Sequence, residues 1–209
     1  MLTLFDVPPQ ASEQRRLRYR EDARRSILTA AEELLEEGGL EAVSMRRLGE
    51  RSGFTTPTLY HYFRDKPALL DALLDERLAG LLVELRAVPR SDDTVAWVSA
   101  LSGVFARFGL RHPSHYQLLV RRSDEDEPSL PAAEELRAIF GEPLDDMVRR
   151  GPLNAREVER LRQGLWSFVH GFILLQTTRP GEAWEPDVLE ASLEAMIRGS
   201  LESRTKGHR

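Results

Sequence analysis

The chain has no cysteine and no long apolar run. Without cysteine, the 209 residues form no disulfide and offer no thiolate to a metal, which suits a reducing compartment. No stretch approaches the roughly 20 apolar residues that a membrane span needs, and the first residues lack the basic and apolar regions of a signal peptide. We therefore expect a cytoplasmic protein without a membrane partner.

Signatures of catalysis are also missing. The sequence contains no nucleophile motif, no glycine-rich phosphate loop and no convincing metal-ligand spacing. His112 and His115 lie close together, but no third ligand is nearby in the sequence. We therefore expect no enzymatic activity, no cofactor and no metal site.

Strand-like alternation and internal repeats are absent too, whereas apolar residues recur at helical spacing through most of the chain. With 41% hydrophobic residues the chain can build a sizeable core. These features predict an all-α fold of about nine helices, the first over 20–37 and the ninth over 186–203. We expect a basic flexible arm over 1–19, a helix-turn-helix domain over 20–66, a helical body over 67–203 and a tail over 204–209.

Residues 44–66 carry the most specific local signals. Ser44 suits the start of a short helix, because its hydroxyl can accept a hydrogen bond from an unpaired backbone N–H. Gly53 suits the turn that follows, because glycine adopts left-handed backbone angles without strain. Thr56 can cap a second helix, and Pro57 fits its first position. The segment predicts two short helices joined by a tight turn.

The second of these helices presents polar and aromatic side chains. The four-residue spacing of Leu59 and Phe63 turns both inward, which leaves Thr58, His61 and Tyr62 on other faces. An ordinary helical hairpin on a globular surface is the alternative, but it does not need Thr-Thr-Pro-Thr at the start of a helix that ends Tyr-His-Tyr-Phe. The pattern favours a helix-turn-helix whose second helix enters the major groove of DNA.

The first seventy residues resemble the TetR family of transcriptional regulators. The collinear matches are Ile27–Leu35, Gly38–Leu48, Gly53-Phe54, Pro57–Phe63 and Lys66–Leu70. Over roughly 90–200, Trp166-Ser-Phe-Val-His170-Gly171 is similar to a Trp…His-Gly pattern in the C-terminal domain of one subgroup. The resemblance implies an all-α regulator with a DNA-binding head and a body that binds a small molecule and dimerises.

Position by position, the resemblance also implies roles in DNA binding. Arg46 is the candidate for a base-edge contact, because a guanidinium can pair bidentately with guanine. Thr56 and Pro57 fall where the family reads bases. The remaining candidates would hold phosphates, which set the register but carry no sequence code; they are Thr58, Tyr60, His61, Tyr62 and Lys66.

Net charge is −5, but its distribution matters more than its sum. Residues 1–67 contain as many basic as acidic residues, so the rest of the chain carries the whole excess of acid. Arginines crowd residues 15–25 and recur around the helix-turn-helix, which makes a local phosphate-facing surface possible. The arginine-rich arm is either a solvated, disordered segment or an arm that holds the DNA backbone.

The family resemblance implies a pocket among helices five to eight of the body. Aromatic and apolar candidates for its lining, with one imidazole, are Trp97, Phe105, Phe108, Tyr116, Phe140, Met147, Trp166 and His170. For each of them core packing is the alternative. Such a lining suits a mainly apolar ligand with a few polar handles.

Helix eight is apolar on two sides, and a helix of that kind is buried on two sides. One side can face the body while the other, together with helix nine, faces a second subunit about a two-fold axis; burial of both sides in one chain is the alternative. The interface candidates are Leu165, Phe168, Phe172, Leu189, Leu193, Met196 and Ile197.

Together these features predict a ligand-responsive repressor that binds a near-palindromic operator as a homodimer and is released by a small molecule. One alternative is a helical small-molecule-binding protein that has lost DNA binding. Another is a regulator controlled by a protein partner, which a collapsed pocket in the body would favour.

Overall fold

The computed structural model describes residues 9–122, 130–151 and 153–206, and the side chains of 13–122, 130–151 and 153–202. Within these ranges the chain forms helices and loops only, as the all-α prediction required. The helices are α1 (Pro9–Ala42), α2 (Met45–Ser52), α3 (Thr56–Tyr62), α4 (Lys66–Arg86), α5 (Thr94–Arg111), α6 (Pro113–Arg121), α7 (Pro131–Arg150), α8 (Ala155–Thr178) and α9 (Val188–Lys206).

The chain divides into two compact units, Met1–Leu73 and Leu74–Arg209, called here the head and the body. The division falls inside α4, later than the predicted boundary after residue 66. The first turns of α4 belong to the head, and Leu69 and Leu73 there are buried.

Helix α1 differs from the predicted boundaries at both ends. It begins at Pro9, so residues 9–19 of the expected arm are helical, while residues 1–8 lie outside the described part. Gly38 and Gly39 have non-helical backbone angles and kink the element, at the place where the sequence predicts the end of the first helix. Residues 123–129 lie outside the described part of the chain, as do the last three residues of the expected tail.

The head has a closed apolar core. Ile27, Leu35, Leu48 and Leu59, from its first three helices, have no more than 1% of their surface exposed. Residues of α2 and α3 opposite to this core remain available for other contacts.

Charged contacts tether α2 to α1. The Arg51 guanidinium donates to both carboxylate oxygens of Glu37 at 2.8 Å and to Glu33 at 3.0 Å. The hydrogen bond from Arg51 lowers the pKa of Glu37. An Nη of Arg47 donates to the carbonyl of Ala42 at 3.1 Å. Arg47 and Arg51 of the helix-turn-helix therefore stabilise the packing of the head.

In the body, α5 packs against α6, α7, α8 and α9. Its buried residues lie on almost every side of the helix, which is expected for a central element. Gly109 permits a close approach, since a Cβ there would lie 2.6 Å from Cγ2 of Ile173 on α8. Over the described residues, no helix combines the length and apolarity that a membrane crossing requires.

Candidate nucleic-acid interface and internal cavity

One face of α3 is open to solvent. Thr56, Pro57, Tyr60 and His61 are exposed on it, and Tyr60 has 51% of its surface free. On the opposite face Leu59 and Phe63 are buried, as the sequence predicts. The helix is thus anchored through one side and offers hydroxyl, phenol and imidazole groups on the other.

The start of α3 lies one residue earlier than predicted. Thr55, not Thr56, is the N-cap, because its hydroxyl accepts from the backbone N–H of Thr58 at 3.4 Å. The Thr55 and Thr58 hydroxyls also lie 2.8 Å apart. Thr58 is therefore half-buried at the cap, whereas Thr56 is the first residue of the helix and exposed.

Aromatic contacts hold the end of α3. The ring of Tyr62 lies 6.5 Å from that of Phe54 and 5.5 Å, edge-on, from that of His61. Phe54 and Tyr62 are both half-buried. Tyr62 is therefore partly committed to packing at the turn, while His61 remains exposed.

Arg46, the candidate for reading a base, projects from the first turn of α2 with 78% of its side chain exposed. Its guanidinium lies 2.5 Å from Glu50, one helical turn later. Glu50 was not predicted as a partner of Arg46, although the four-residue spacing of opposite charges is a signal for such a pair. An exposed pair of this kind is weak, so Arg46 can leave Glu50 for a stronger partner at small cost.

Lys66 opens α4 and is already bound by one contact. Its ammonium donates to the carbonyl of Leu40 at 3.1 Å, which leaves two further N–H donors. Asp65 caps the helix by accepting from the backbone N–H of Ala68 at 2.8 Å. That bond and the neighbouring Arg64 lower the pKa of Asp65. Lys66 can therefore offer N–H donors to an anion, whereas the Asp65 carboxylate already occupies the start of the helix.

The body contains a cavity of about 480 Å³. It is a partly open space between α5, α6, α7 and α8, of a size that suits a small organic ligand. Its lining residues are Val98, Ser102, Phe105, Leu119, Val120, Arg122, Ala133, Leu136, Arg137, Phe140, Gly141, Leu144, Arg162, Gln163, Leu165, Trp166, Val169 and His170.

Phe105, Phe140, Trp166 and His170 were among the predicted lining residues, and the structure brings them together there. The remaining candidates do not line the cavity, and those on α5 are excluded because they lie on a different face of the helix. Val98, Ser102 and Phe105 occupy the face of α5 that meets the cavity, whereas Trp97 and Phe108 belong to the neighbouring stripe. Met147 and Tyr116 are buried but do not line the cavity. The candidates outside the lining are therefore Trp97, Phe108, Tyr116 and Met147.

A hydrogen-bonded pair supports the wall. The hydroxyl of Tyr116 lies 2.8 Å from Nδ1 of His170 and 3.2 Å from the His170 carbonyl oxygen. Burial lowers the pKa of His170 to about 4 and raises the pKa of Tyr116 to about 12. Both groups are therefore neutral near pH 7. Trp166 and Phe105 flank the imidazole, with ring centroids 4.6 Å and 5.4 Å from it.

Sequence reasoning missed the polar part of the lining. Ser102 is buried at 2% exposure, and Gln163 and three arginines contribute to the walls. Arg162 also donates to Asp145 at 2.8 Å. These residues lie on amphipathic helices, where a charged residue is more often solvated, so nothing in the sequence marked them as cavity residues.

The predicted interface residues fall into two groups. Leu165 lines the cavity, and Leu189, Leu193 and Ile197 are buried inside their own chain with at most 6% exposed. These four therefore offer little surface to a second subunit, because the intramolecular packing of α9 against α5 and α8 already covers them. The partly exposed candidates are Phe168, Phe172 and Met196.

The open face of α8 lies elsewhere on the helix. Leu174 and Leu175 have 51% and 39% of their surface exposed. Ser167 and Gly171 precede Leu174 by seven and three residues, and a Cβ at Gly171 would meet nothing within 4 Å. Small and apolar residues thus share an exposed stripe near the end of α8.

No metal site accompanies these features: across the described ranges, no three histidine, aspartate or glutamate side chains are grouped to hold a metal ion.

Comparison with known proteins places the chain in a family. Residues 27–73 match the model "Bacterial regulatory proteins, tetR family", and residues 98–199 match "Tetracyclin repressor-like, C-terminal domain". The class A tetracycline repressor of Escherichia coli is 44% identical over 78 residues, which cover 37% of this chain and 34% of that protein. The chain thus matches only about a third of the length of this relative. An uncharacterized HTH-type transcriptional regulator of Mycobacterium tuberculosis is 22% identical over 88% of this chain and 83% of its own.

Solved structures agree on the fold. A protein of unknown function from Rhodococcus superposes with a TM-score of 0.67 at 23% identity, over 85% of this chain and 94% of its own. A TetR variant from Acinetobacter baumannii, solved with minocycline, superposes with a TM-score of 0.59 at 21% identity, over 86% of this chain and 94% of its own. The two family models lie in order along most of the sequence, one in the head and one in the body. The chain belongs to the TetR family of transcriptional regulators.

Proposed function

We propose that the protein is a ligand-responsive transcriptional repressor. It binds a near-palindromic operator in the cytoplasm as a homodimer, and a small molecule in the body releases it. The observation that carries the proposal is the exposed face of α3, where Thr56, Pro57, Tyr60 and His61 stand on a helix anchored by buried Leu59. That is the arrangement of a recognition helix.

Cationic side chains and hydrogen-bond donors near the exposed face of α3 contribute further DNA contacts in the proposal. Arg46 reads a base edge after exchanging Glu50 for guanine, while Tyr60, His61 and Lys66 hold phosphates. The contacts of Thr58 and Tyr62 within the head make them supports of the helix start and end as well as phosphate ligands. Phosphate contacts of this kind make binding strongly dependent on salt.

The cavity supports control by a ligand rather than by a protein partner. A regulator that answers only to a partner has no need of a cavity of about 480 Å³ lined by Phe105, Phe140, Trp166 and His170. The ligand acts through its different affinities for the DNA-competent and DNA-incompetent states.

For the dimer, the exposed stripe of α8 carries the proposal. Leu174 and Leu175 of α8 are large apolar residues open to solvent. Phe168 and Phe172 of α8 and Met196 of α9 are partly exposed. Two copies that pack this surface about a two-fold axis form a four-helix interface.

The test is binding of the purified protein to fragments of its own upstream DNA at several salt concentrations. We expect selection of a near-palindrome and a steep loss of affinity with salt. Arg46→Ala should weaken specific binding by about 1–3 kcal/mol and relax one base position. Tyr60→Phe and Lys66→Ala should weaken all sequences alike.

Two further variants sharpen the assignment of Arg46. Glu50→Gln removes the competing carboxylate and should strengthen operator binding. Arg149→Ala removes another exposed, ion-paired arginine, but from α7 of the body, and should leave operator binding unchanged. Operator affinity that survives Arg46→Ala would remove the base-reading role. A protein without affinity for any fragment at low salt would instead support the alternative that DNA binding has been lost.

A further inference from the structure

The pair formed by Tyr116 and His170 fixes which ring nitrogen carries the proton. Both side chains are neutral near pH 7, so the hydroxyl has one proton to donate and the imidazole has one N–H. The hydroxyl oxygen makes two contacts with His170, at 2.8 Å to Nδ1 and at 3.2 Å to the backbone carbonyl. Only one arrangement of the two protons turns both contacts into hydrogen bonds.

In that arrangement Nδ1–H donates to the tyrosine oxygen, and the tyrosine O–H donates to the carbonyl of His170. In the other tautomer the tyrosine O–H must donate to Nδ1. The tyrosine oxygen and the carbonyl oxygen would then face each other at 3.2 Å with no proton between them, which is repulsive. The contacts therefore favour a proton on Nδ1 and a lone pair on Nε2.

The lone pair matters because His170 lines the cavity. Nδ1 is occupied by Tyr116, so Nε2 is the ring nitrogen left for a ligand. Burial of the imidazole keeps it neutral, and a neutral imidazole with Nδ1–H accepts at Nε2 and does not donate there. Among the other polar side chains in this wall, the arginines supply only donors, whereas Ser102 and Gln163 can donate or accept.

Aromatic groups surround this acceptor. The rings of Trp166 and Phe105 lie 4.6 Å and 5.4 Å from the imidazole, and Phe140 lies 5.7 Å from Phe105, edge-on. Walls of this composition favour flat aromatic ligands. A carboxylate group would suit Arg137 and Arg162 instead, and it has no proton to give to Nε2.

We propose that the cavity takes a flat aromatic ligand that carries a hydroxyl group, and that this hydroxyl donates a hydrogen bond to Nε2 of His170. Tyr116 acts as a positioning residue, since it does not line the cavity but sets the tautomer of His170 that can accept. The inference rests on the proposed function, because it names the chemical class of the effector that the body would bind.

Calorimetric titration of the full-length protein without DNA tests the inference with three matched probes. 2-Naphthol carries the donor, 2-methylnaphthalene replaces its hydroxyl with a methyl group of similar size, and 2-naphthoate carries an anion. A neutral hydrogen bond corresponds to about a tenfold difference in affinity. We expect 2-naphthol to bind about tenfold more tightly than 2-methylnaphthalene and more tightly than 2-naphthoate.

Variants separate the tautomer from simple packing. His170→Phe removes the acceptor but keeps an aromatic ring, and it should abolish the preference for 2-naphthol. Tyr116→Phe keeps the packing but no longer holds the proton of His170 on Nδ1. The ratio of the affinities for 2-naphthol and 2-methylnaphthalene should therefore fall toward one. Tyr19→Phe, the same exchange at an exposed position of α1, should leave the ratio unchanged.

A direct readout uses the wild-type protein alone. Nitrogen-15 spectra of the histidines should show His170 with a protonated Nδ1 and an unprotonated Nε2. A proton on Nε2, equal affinity for 2-naphthol and 2-methylnaphthalene, tightest binding of 2-naphthoate or no binding of any probe would each overturn the inference. A protein that binds its operator without a preference for the hydroxyl refutes this inference alone. A protein that prefers 2-naphthol but binds no DNA refutes the proposed function.

Discussion

Replacing Gly53 with alanine should destabilise the helix-turn-helix through backbone conformation alone. Gly53 ends α2 with φ 75° and ψ 5°, in the left-handed region, and its N–H donates to the carbonyl of Gly49 at 3.0 Å. A Cβ at this position would meet nothing within 4 Å, so no steric clash adds to the conformational strain.

The size of the effect follows from two opposing contributions. A residue with a Cβ costs about 1–2 kcal/mol in the left-handed region. Alanine also restricts the unfolded chain, which offsets about 0.4–1 kcal/mol of that cost. We therefore expect Gly53→Ala to lower the free energy of unfolding of the head by about 1 kcal/mol. Gly53→Asn should cost less, because asparagine visits this region more readily.

Gly49→Ala is the matched variant for steric effects. A Cβ at Gly49 would lie 2.9 Å from the backbone carbonyl oxygen of Phe54, and backbone gives way poorly. Alanine gains up to about 1 kcal/mol over glycine inside a helix, so the clash and the propensity oppose each other. We expect the clash to prevail and the turn to loosen.

Urea unfolding combined with hydrogen exchange of the α2 and α3 amides measures these effects, because exchange reports local opening within the head. Gly53→Ala should speed exchange in both helices and Gly53→Asn should do so less. Equal protection in Gly53→Ala and the wild type, or faster exchange with asparagine than with alanine, would refute the conformational reasoning.

Two predictions concern the body. Burial lowers the pKa of His170 from 6.5 to about 4, so the unfolded chain binds the proton first as the pH falls. The free energy of unfolding should therefore decline below pH 6.5, by about 1 kcal/mol at pH 5.5. Urea unfolding should show a flatter pH profile for His170→Asn than for the wild type. Equal slopes in the two proteins would contradict the buried neutral imidazole. Leu174→Glu places a charge on the exposed stripe of α8 and should convert the proposed dimer to monomers in analytical ultracentrifugation. Val83→Glu, at a position 64% exposed on α4, serves as its control, and a dimer that survives the change at Leu174 would move the interface elsewhere.

Much of the head could be predicted from sequence because its signals are local. Ser44, Gly53 and Pro57 each mark a boundary within a few residues of their own position, and the structure follows them. The error at the start of α3 has a local cause as well. Thr55 and Thr56 have the same capping chemistry, and only the backbone geometry decides between them.

The body resisted prediction because its helices are apolar on more than one side. Sequence periodicity identifies the stripes of α5 but not which stripe meets α7 and α8, so Trp97 was expected in the cavity while Val98 and Ser102 line it. Leu165 and Leu193 were expected at a subunit interface for the same reason. Their burial depends on contacts between helices distant in sequence, which a single helix cannot report.

Helix α4 gives the proposed ligand response a route to DNA, because it is the element that the two units share. Within the body, Arg86 on α4 donates through Nε to Glu135 on α7 at 2.8 Å, and the next residue, Leu136, lines the cavity. Exposed pairs contribute little to stability, yet this one connects α4 to a cavity wall.

Arg86→Ala should therefore change the coupling more than either binding event. We expect near-normal operator affinity without ligand and near-normal affinity for 2-naphthol, but a smaller loss of operator affinity when 2-naphthol is present. Because coupling is reciprocal, operator DNA should also weaken 2-naphthol binding less in the variant. Arg149→Ala, at another exposed arginine, which pairs with Asp146 inside α7, is the control. Full release of DNA from the Arg86→Ala protein would exclude this contact as the connection.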